Sequence, residues 1–180
     1  NSMLKYKVTE PKSFYLEYAV ELDINNQWST GGEHLESSEF LSFSMRLKNK
    51  WFVNAHTGRR LRGVDTRLLR GGPSVNLDNF WCNNINFKTD GSKTLSFGGN
   101  YHFHMFDDGV SYNRDFNPWA SVKVGQAINL SAGVNLSKSR DILFYVDEYE
   151  FSNEKSYLMG EQTRQTMGLT LRADWAITPE

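Results

Sequence analysis

Three small groups of side chains in this sequence could do chemistry. The first is His102 and His104 in "HFH", two residues apart. On a strand such residues project to the same side, about 7 Å apart along the chain. Two imidazoles so placed can chelate a metal, but a site needs a third or fourth ligand. The sequence offers Asp107 and Asp108 close by, and His34 and His56 at a distance. The plainer reading is two polar residues facing water or a wet lumen.

The second group is Asp107-Asp108-Gly109. Asp and Gly supply the backbone geometry of a tight turn, and "DDGVSYNRD" does not place oxygen ligands in the order of an EF-hand loop. A turn is the expectation. The third is the carboxylate run Asp147, Glu148 and Glu150. Glycoside hydrolysis uses two acids about 5 to 10 Å apart, but acids near a strand end are usually solvated.

Cys82 is the single cysteine. It can form no internal disulfide and has no C-x-x-C or Cys/His spacing, so it reads as a packing residue. No nucleophile elbow, phosphate loop or His-Glu-x-x-His occurs. The residues alone therefore assign no catalytic residue, no cofactor-binding residue, no metal ligand and no cofactor, and give no enzyme motif.

The elements that must carry these residues alternate with period two. "TLSFGGNYHFHMF" puts Leu95, Phe97, Gly99, Tyr101, Phe103 and Met105 on one face and both histidines on the other. "FYLEYAVELDI" sets Phe14, Leu16, Tyr18, Val20, Leu22 and Ile24 against Glu17, Glu21 and Asp23. "EFLSFSMRLKNKWFV" sets Leu41, Phe43, Met45 and Leu47 against Ser42, Ser44, Arg46 and Lys48. Further strands are predicted in "VNLDNFWCNNINFK", "NPWASVKV", "INLSAGVNLSKS", "ILFYVDEYEF", "YLMGEQT" and "TMGLTLRADWAI", the last aligning Met167, Leu169, Leu171, Ala173, Trp175 and Ile177. "TDGSK" has the Asp-Gly signature of a hairpin. The arginine cluster of "TGRRLRGVDTRLLRGG" reads as a solvated loop or hairpin tip.

The expectation is an all-β, antiparallel, up-and-down meander of about 8 to 10 strands, forming a β-barrel or part of one, in a single domain over residues 1–180. The strands run to about 10 to 13 residues, against a usual five or six in soluble proteins and roughly 9 to 11 in membrane barrels. No run approaches the roughly 20 apolar residues of a membrane helix, so any contact with lipid is made by strands. Trp28, Trp51, Trp81, Trp119, Trp175, Tyr15, Tyr101 and Tyr157 are expected near strand ends, where an interfacial girdle would put them. Net charge is −1, with 20 basic and 21 acidic residues, which gives nucleic-acid binding no support. The opening "NSM" does not decide whether the chain is exported.

The "RGGP" hairpin, the "NPWASVKV" strand, "INLSAGVNLSKSRD" and "TMGLTLRADWAITP", in that order, resemble the C-terminal β-barrel domain of unknown function found in outer-membrane proteins of Gram-negative bacteria. The resemblance covers about residues 65 to 180, and the first 60 are compatible with it. In that family the domain usually follows a carbohydrate-binding module resembling family 9 and continues beyond a Thr-Pro like Thr178-Pro179. The resemblance therefore implies a C-terminal fragment of a larger barrel, located in the bacterial outer membrane and acting as an anchor or pore. It implies the lipid bilayer, or detergent, as partner, and glycans through a neighbouring module. Some members are labelled membrane-associated hydrolases, but no catalytic motif maps onto a position here. The alternative is a soluble β-barrel or sandwich whose apolar faces enclose a core or a small-ligand or glycan cavity.

Overall fold

The computed structural model describes residues 1–152 and 154–176; Ile177 and the Thr178-Pro179 motif lie outside the described residues. Eleven strands are formed: β1 (Ser2–Val8), β2 (Tyr15–Trp28), β3 (His34–Leu47), β4 (Phe52–Arg62), β5 (Val64–Asp65), β6 (Val75–Asn76), β7 (Phe80–Lys88), β8 (Leu95–Phe106), β9 (Tyr112–Val124), β10 (Ile128–Phe151) and β11 (Glu154–Trp175). Nine of them make one antiparallel sheet in the order β1-β2-β3-β4-β7-β8-β9-β10-β11, and β5 and β6 form a small hairpin inside the β4–β7 connection. The all-β meander expected from the period-two pattern is thus the fold. The sheet is not closed into a barrel, because β1 and β11 are its two edges among the described residues.

The number of long strands hides two differences from the sequence reading. "LKYKV" forms β1, and "FVNAHTGRRLR" forms β4, so Arg59, Arg60 and Arg62 lie in a strand and not in the expected loop. Val53, Ala55, Thr57 and Leu61 alternate with polar residues along β4, and pairing with both β3 and β7 holds this segment extended despite its charge. In the other direction, "INLSAGVNLSKS" and "ILFYVDEYEF" are one strand, β10, and "YLMGEQT" and "TMGLTLRADWAI" contribute to one strand, β11. The register shifts between Asp141 and Phe144 and between Tyr145 and Asp147 mark where the alternation slips.

The connections differ between the two ends of the sheet. At one end lie residues 9–14, 48–51, 89–94 and 125–127; at the other lie 29–33, 63–79 and 107–111, of which only 63–79 is long. Asp90 closes the 89–94 turn by accepting the Ser92 N–H (2.8 Å). Asp108 closes the 107–111 turn by accepting the Val110 and Ser111 N–H groups (2.7 Å each), with Gly109 at φ 72°. Asp107-Asp108-Gly109 is therefore a turn, as its composition dictates. The long 63–79 connection reaches the far side of the sheet, where the Arg70 guanidinium lies over the Tyr145 ring at 4.9 Å.

The two faces of the sheet are exposed in the reverse of the usual sense. From β2 to β9 the polar face is sheltered, and Ser38, Cys82 and Ser96 on it are each at most 6% exposed. The apolar face points outward, with Leu95 at 55%, Ile85 at 55% and Met105 at 50% exposed. The same holds for Leu22, Leu41, Phe97, Phe116, Leu130 and Leu171. A single-layer sheet shelters one face only by curling, so the polar side is the concave one.

The aromatic residues divide. Tyr15 opens β2, Trp28 closes it, Trp51 precedes β4, Trp81 is near the start of β7 and Trp175 ends β11. Tyr101 instead sits mid-strand between Ile85 and Phe116. Trp119 pairs with Gly98 and turns its indole across that glycine on the polar face. These two are corrections to the end-of-strand expectation. Phe-His-Phe alternation placed Tyr101 outward but said nothing of its height, and the register of β9 sends Trp119 inward.

Candidate functional site

Strand register decides which polar side chains meet on the concave face. Gly58 of β4 pairs with Cys82 of β7, and Cys82 pairs with His104 of β8. His56 pairs with Asn84, and Asn84 with His102. Two rows, separated by two residues along each strand, therefore bring His56, Cys82, His102 and His104 onto one patch from three adjacent strands.

The three imidazoles turn the same nitrogen to the same sulfur. Nε2 of His104 lies 3.2 Å from the Cys82 Sγ, that of His102 lies 3.5 Å away and that of His56 3.7 Å away. The ligand atoms of Cys82, His102 and His104 all fall within 4.8 Å of one another. The His102 and His104 rings meet edge to face, 4.3 Å between centroids. On its other side the His102 Nδ1 lies 3.5 Å from a carboxylate oxygen of Asp115 on β9. The buried side-chain oxygen of Asn113, cross-strand partner of His104, has no hydrogen-bond partner among the described residues.

The patch floors an open trough of about 520 Å³ whose walls include Asp23, Ser38, Phe40, Ser42 and Arg60. Arg60 lines the same trough, with its guanidinium 3.5 Å from Glu36 and over the Phe40 and Phe80 rings at 5.6 and 5.9 Å. Phe80 in turn packs against the His104 ring, 4.6 Å between centroids, which limits the ring's freedom.

Of the ligands the sequence could offer beside His102 and His104, only His56 joins them. Asp107 pairs with Arg59, Asp108 closes its own turn, and His34 bonds the Ser37 hydroxyl (2.7 Å). Cys82 is the residue that spacing failed to find. It reads as a packing residue by sequence, and it is buried, but what it packs against is imidazole. A cross-strand cluster leaves no motif because its spacing is set by hairpin lengths. The only available signal was that Cys82, His102 and His104 each fall on the polar phase of their own strand.

The carboxylates Asp147, Glu148 and Glu150 lie on the part of β10 that pairs with β11 but extends past β9, all exposed. Glu148 pairs with Lys155 at 3.4 Å, and Asp147 accepts the Glu148 N–H at 2.9 Å.

Fold and site together define an all-β meander protein with an outward apolar face and a polar trough carrying a Cys/His cluster. The chain belongs to the DUF5916 family, a domain of unknown function, whose family model matches residues 1–180. The match takes in the first 60 residues as well as the part that carried the sequence resemblance. No curated protein and no solved structure matches the chain.

Proposed function

We propose that this chain is a segment of an outer-membrane β-barrel that anchors its protein in the bilayer and encloses a polar lumen. The observation that carries the reading is the inverted exposure of the sheet, with aliphatic and aromatic side chains on the convex face and Ser, Asn, His and Asp in the trough. In water an apolar convex face of this extent is costly. In hydrocarbon it is required, because backbone groups pair between strands and only side chains meet lipid.

Dimensions support the same reading. The outward apolar positions of β8 run from Leu95 to Met105, about 34 Å of strand at the usual rise. Tilted by about 40°, that spans about 26 Å, close to the roughly 25 Å apolar band of outer-membrane barrels. Trp51 and Trp81 bracket this band from opposite ends of the sheet. Beside Trp81, Arg59 stretches over the indole at 5.8 Å to reach Asp107, as a long cation does when its stem lies along apolar surface and its charge seeks water. Where polar side chains do face outward, Thr57 and Asn83 bond each other (2.7 Å). One connection, 63–79, is far longer than any turn at the opposite end, as an extracellular loop of such a barrel is.

Two free sheet edges cannot face hydrocarbon. In a bilayer β1 and β11 therefore pair with further strands, and residues 1–180 supply part of the barrel wall. The link to carbohydrate handling is an inference from the family resemblance alone.

The test is size-exclusion chromatography with light scattering, run in plain buffer and in detergent. Aggregation in buffer that detergent resolves into a β-rich species is expected. A monodisperse monomer in plain buffer would sink the membrane reading in favour of a soluble sheet protein whose apolar face is covered in solution.

A further inference from the structure

We infer that the trough holds a late first-row metal ion, with zinc as its natural occupant, bound by the Cys82 thiolate and Nε2 of His102 and His104, whose ligand atoms lie within 4.8 Å of one another, with His56 next to the sulfur at 3.7 Å as the nearest further donor. The inference rests on cross-strand register within β4, β7 and β8 and is independent of what covers the outer face.

Geometry leads. A tetrahedral zinc ion has bonds of about 2.3 Å to sulfur and 2.0 to 2.1 Å to nitrogen, which places sulfur and nitrogen about 3.6 Å apart. The three sulfur–nitrogen separations are 3.2, 3.5 and 3.7 Å. Ordinary packing does not aim three imidazole nitrogens at one sulfur, since a thiol is a weak donor and a weak acceptor and can satisfy few of them. A cation shared by Cys82, His102 and His104 satisfies all three at once. Binding takes the thiol proton off to solvent and leaves neutral imidazoles, so the site gains one negative ligand against the two positive charges of the ion.

The surroundings fit a ligand set. Asp115 sits behind His102 on the nitrogen that does not face sulfur, the carboxylate–histidine–metal relay that fixes tautomer and raises ligand basicity. Asn113 brings an unpartnered buried oxygen to the strand position opposite His104. Arg60, a cation lining the same trough, is tied to Glu36 and two aromatic rings. A thiolate with imidazoles selects zinc, cobalt or copper, whereas magnesium and calcium want oxygen. Cys82, His102 and His104 supply three ligands from two adjacent strands, so the ion links β7 to β8, and its fourth position is filled by His56 if that ring moves in, or by water if it does not.

The experiment uses the full chain, solubilised, stripped with chelator and titrated with Co²⁺. One equivalent is expected to give intense visible ligand-field bands of tetrahedral cobalt, together with a near-ultraviolet thiolate-to-cobalt band. Zn²⁺ should abolish both by displacement. Cys82→Ser should remove the thiolate band, His34→Ala should leave the spectrum unchanged, and Asp115→Asn should weaken binding by about 10- to 100-fold. In the unmutated chain, Zn²⁺ should protect Cys82 from alkylation, a readout that no folding defect of a variant can imitate. Weak octahedral-type cobalt absorption without a thiolate band, or alkylation of Cys82 at the same rate with and without Zn²⁺, would overturn the inference.

Discussion

Cys82 and His104 face each other across β7 and β8 as register partners, with Sγ 3.2 Å from Nε2. Their meeting depends on a third position, Gly58, which pairs with Cys82 from the other side. A Cβ on Gly58 would sit 2.1 Å from the Glu39 carbonyl oxygen and 2.3 Å from the Phe40 ring. Only glycine therefore lets β3 close on β4 beside the cluster.

Gly58→Ala should destabilise the chain by about 1–3 kcal/mol or more, since the clash is with backbone and cannot be relieved by a rotamer. Denaturant unfolding in detergent measures it, with Gly31→Ala as the control, because a Cβ there meets only the Ser29 hydroxyl at 3.6 Å. Equal stability of the two variants would mean that β3 and β4 do not close as described.

Acid should loosen the 107–111 turn first at Asp108. Partial burial pushes that carboxyl up, but hydrogen bonds from the Ser111 hydroxyl and from the Val110 and Ser111 N–H groups outweigh it and hold the pKa below the ordinary 3.8. A carboxyl depressed on folding stabilises the fold above its unfolded pKa, and that contribution is lost as pH falls through the depressed value. Hydrogen exchange of the Val110 and Ser111 amides should therefore be slow well above pH 3.8 and speed up, relative to neighbouring turns, well below it. Unchanged relative protection in acid would refute this, and Asp108→Asn should flatten the response.

The Arg59–Asp107 pair should contribute little. Both side chains are more than a third exposed, and exposed ion pairs are worth about 0.2–1 kcal/mol. A double-mutant cycle with Arg59→Met and Asp107→Asn should give a coupling in that range that shrinks with added salt. A coupling of several kcal/mol that salt leaves untouched would place the pair in a dry environment, well inside the apolar band.

How much of this was legible beforehand follows from which signals are local. Alternation in "TLSFGGNYHFHMF" set β8 and its two faces, since side-chain phase along a strand is a property of the strand itself. Strand β4 was missed because its turn, 48–51, uses Lys50 at φ 64° without a glycine, and because its arginines looked like a loop. Which medium the apolar face meets is not set by alternation, since a core and lipid call for the same side chains; strand length is what favours lipid in the sequence. The Cys/His cluster was out of reach for a further reason: His56, Cys82 and His104 meet only when hairpin registers on both sides of β7 are known.

Ile85 offers the sharpest separation of lipid from water. It lies mid-strand on β7, between Ala55 and Tyr101, on the outward face and 55% exposed. At the middle of a bilayer an outward arginine costs about 2–4 kcal/mol, whereas an exposed surface position in water tolerates the change within about 0.5 kcal/mol. Ile85→Arg should therefore lower stability in phospholipid vesicles by the larger amount. Its neighbour Asn84 points into the trough, where polar substitutions are tolerated, so Asn84→Ser should change stability little in the same vesicles. If Ile85→Arg is as stable as the parent in vesicles, residue 85 does not meet hydrocarbon, and the convex face must be covered by something other than lipid.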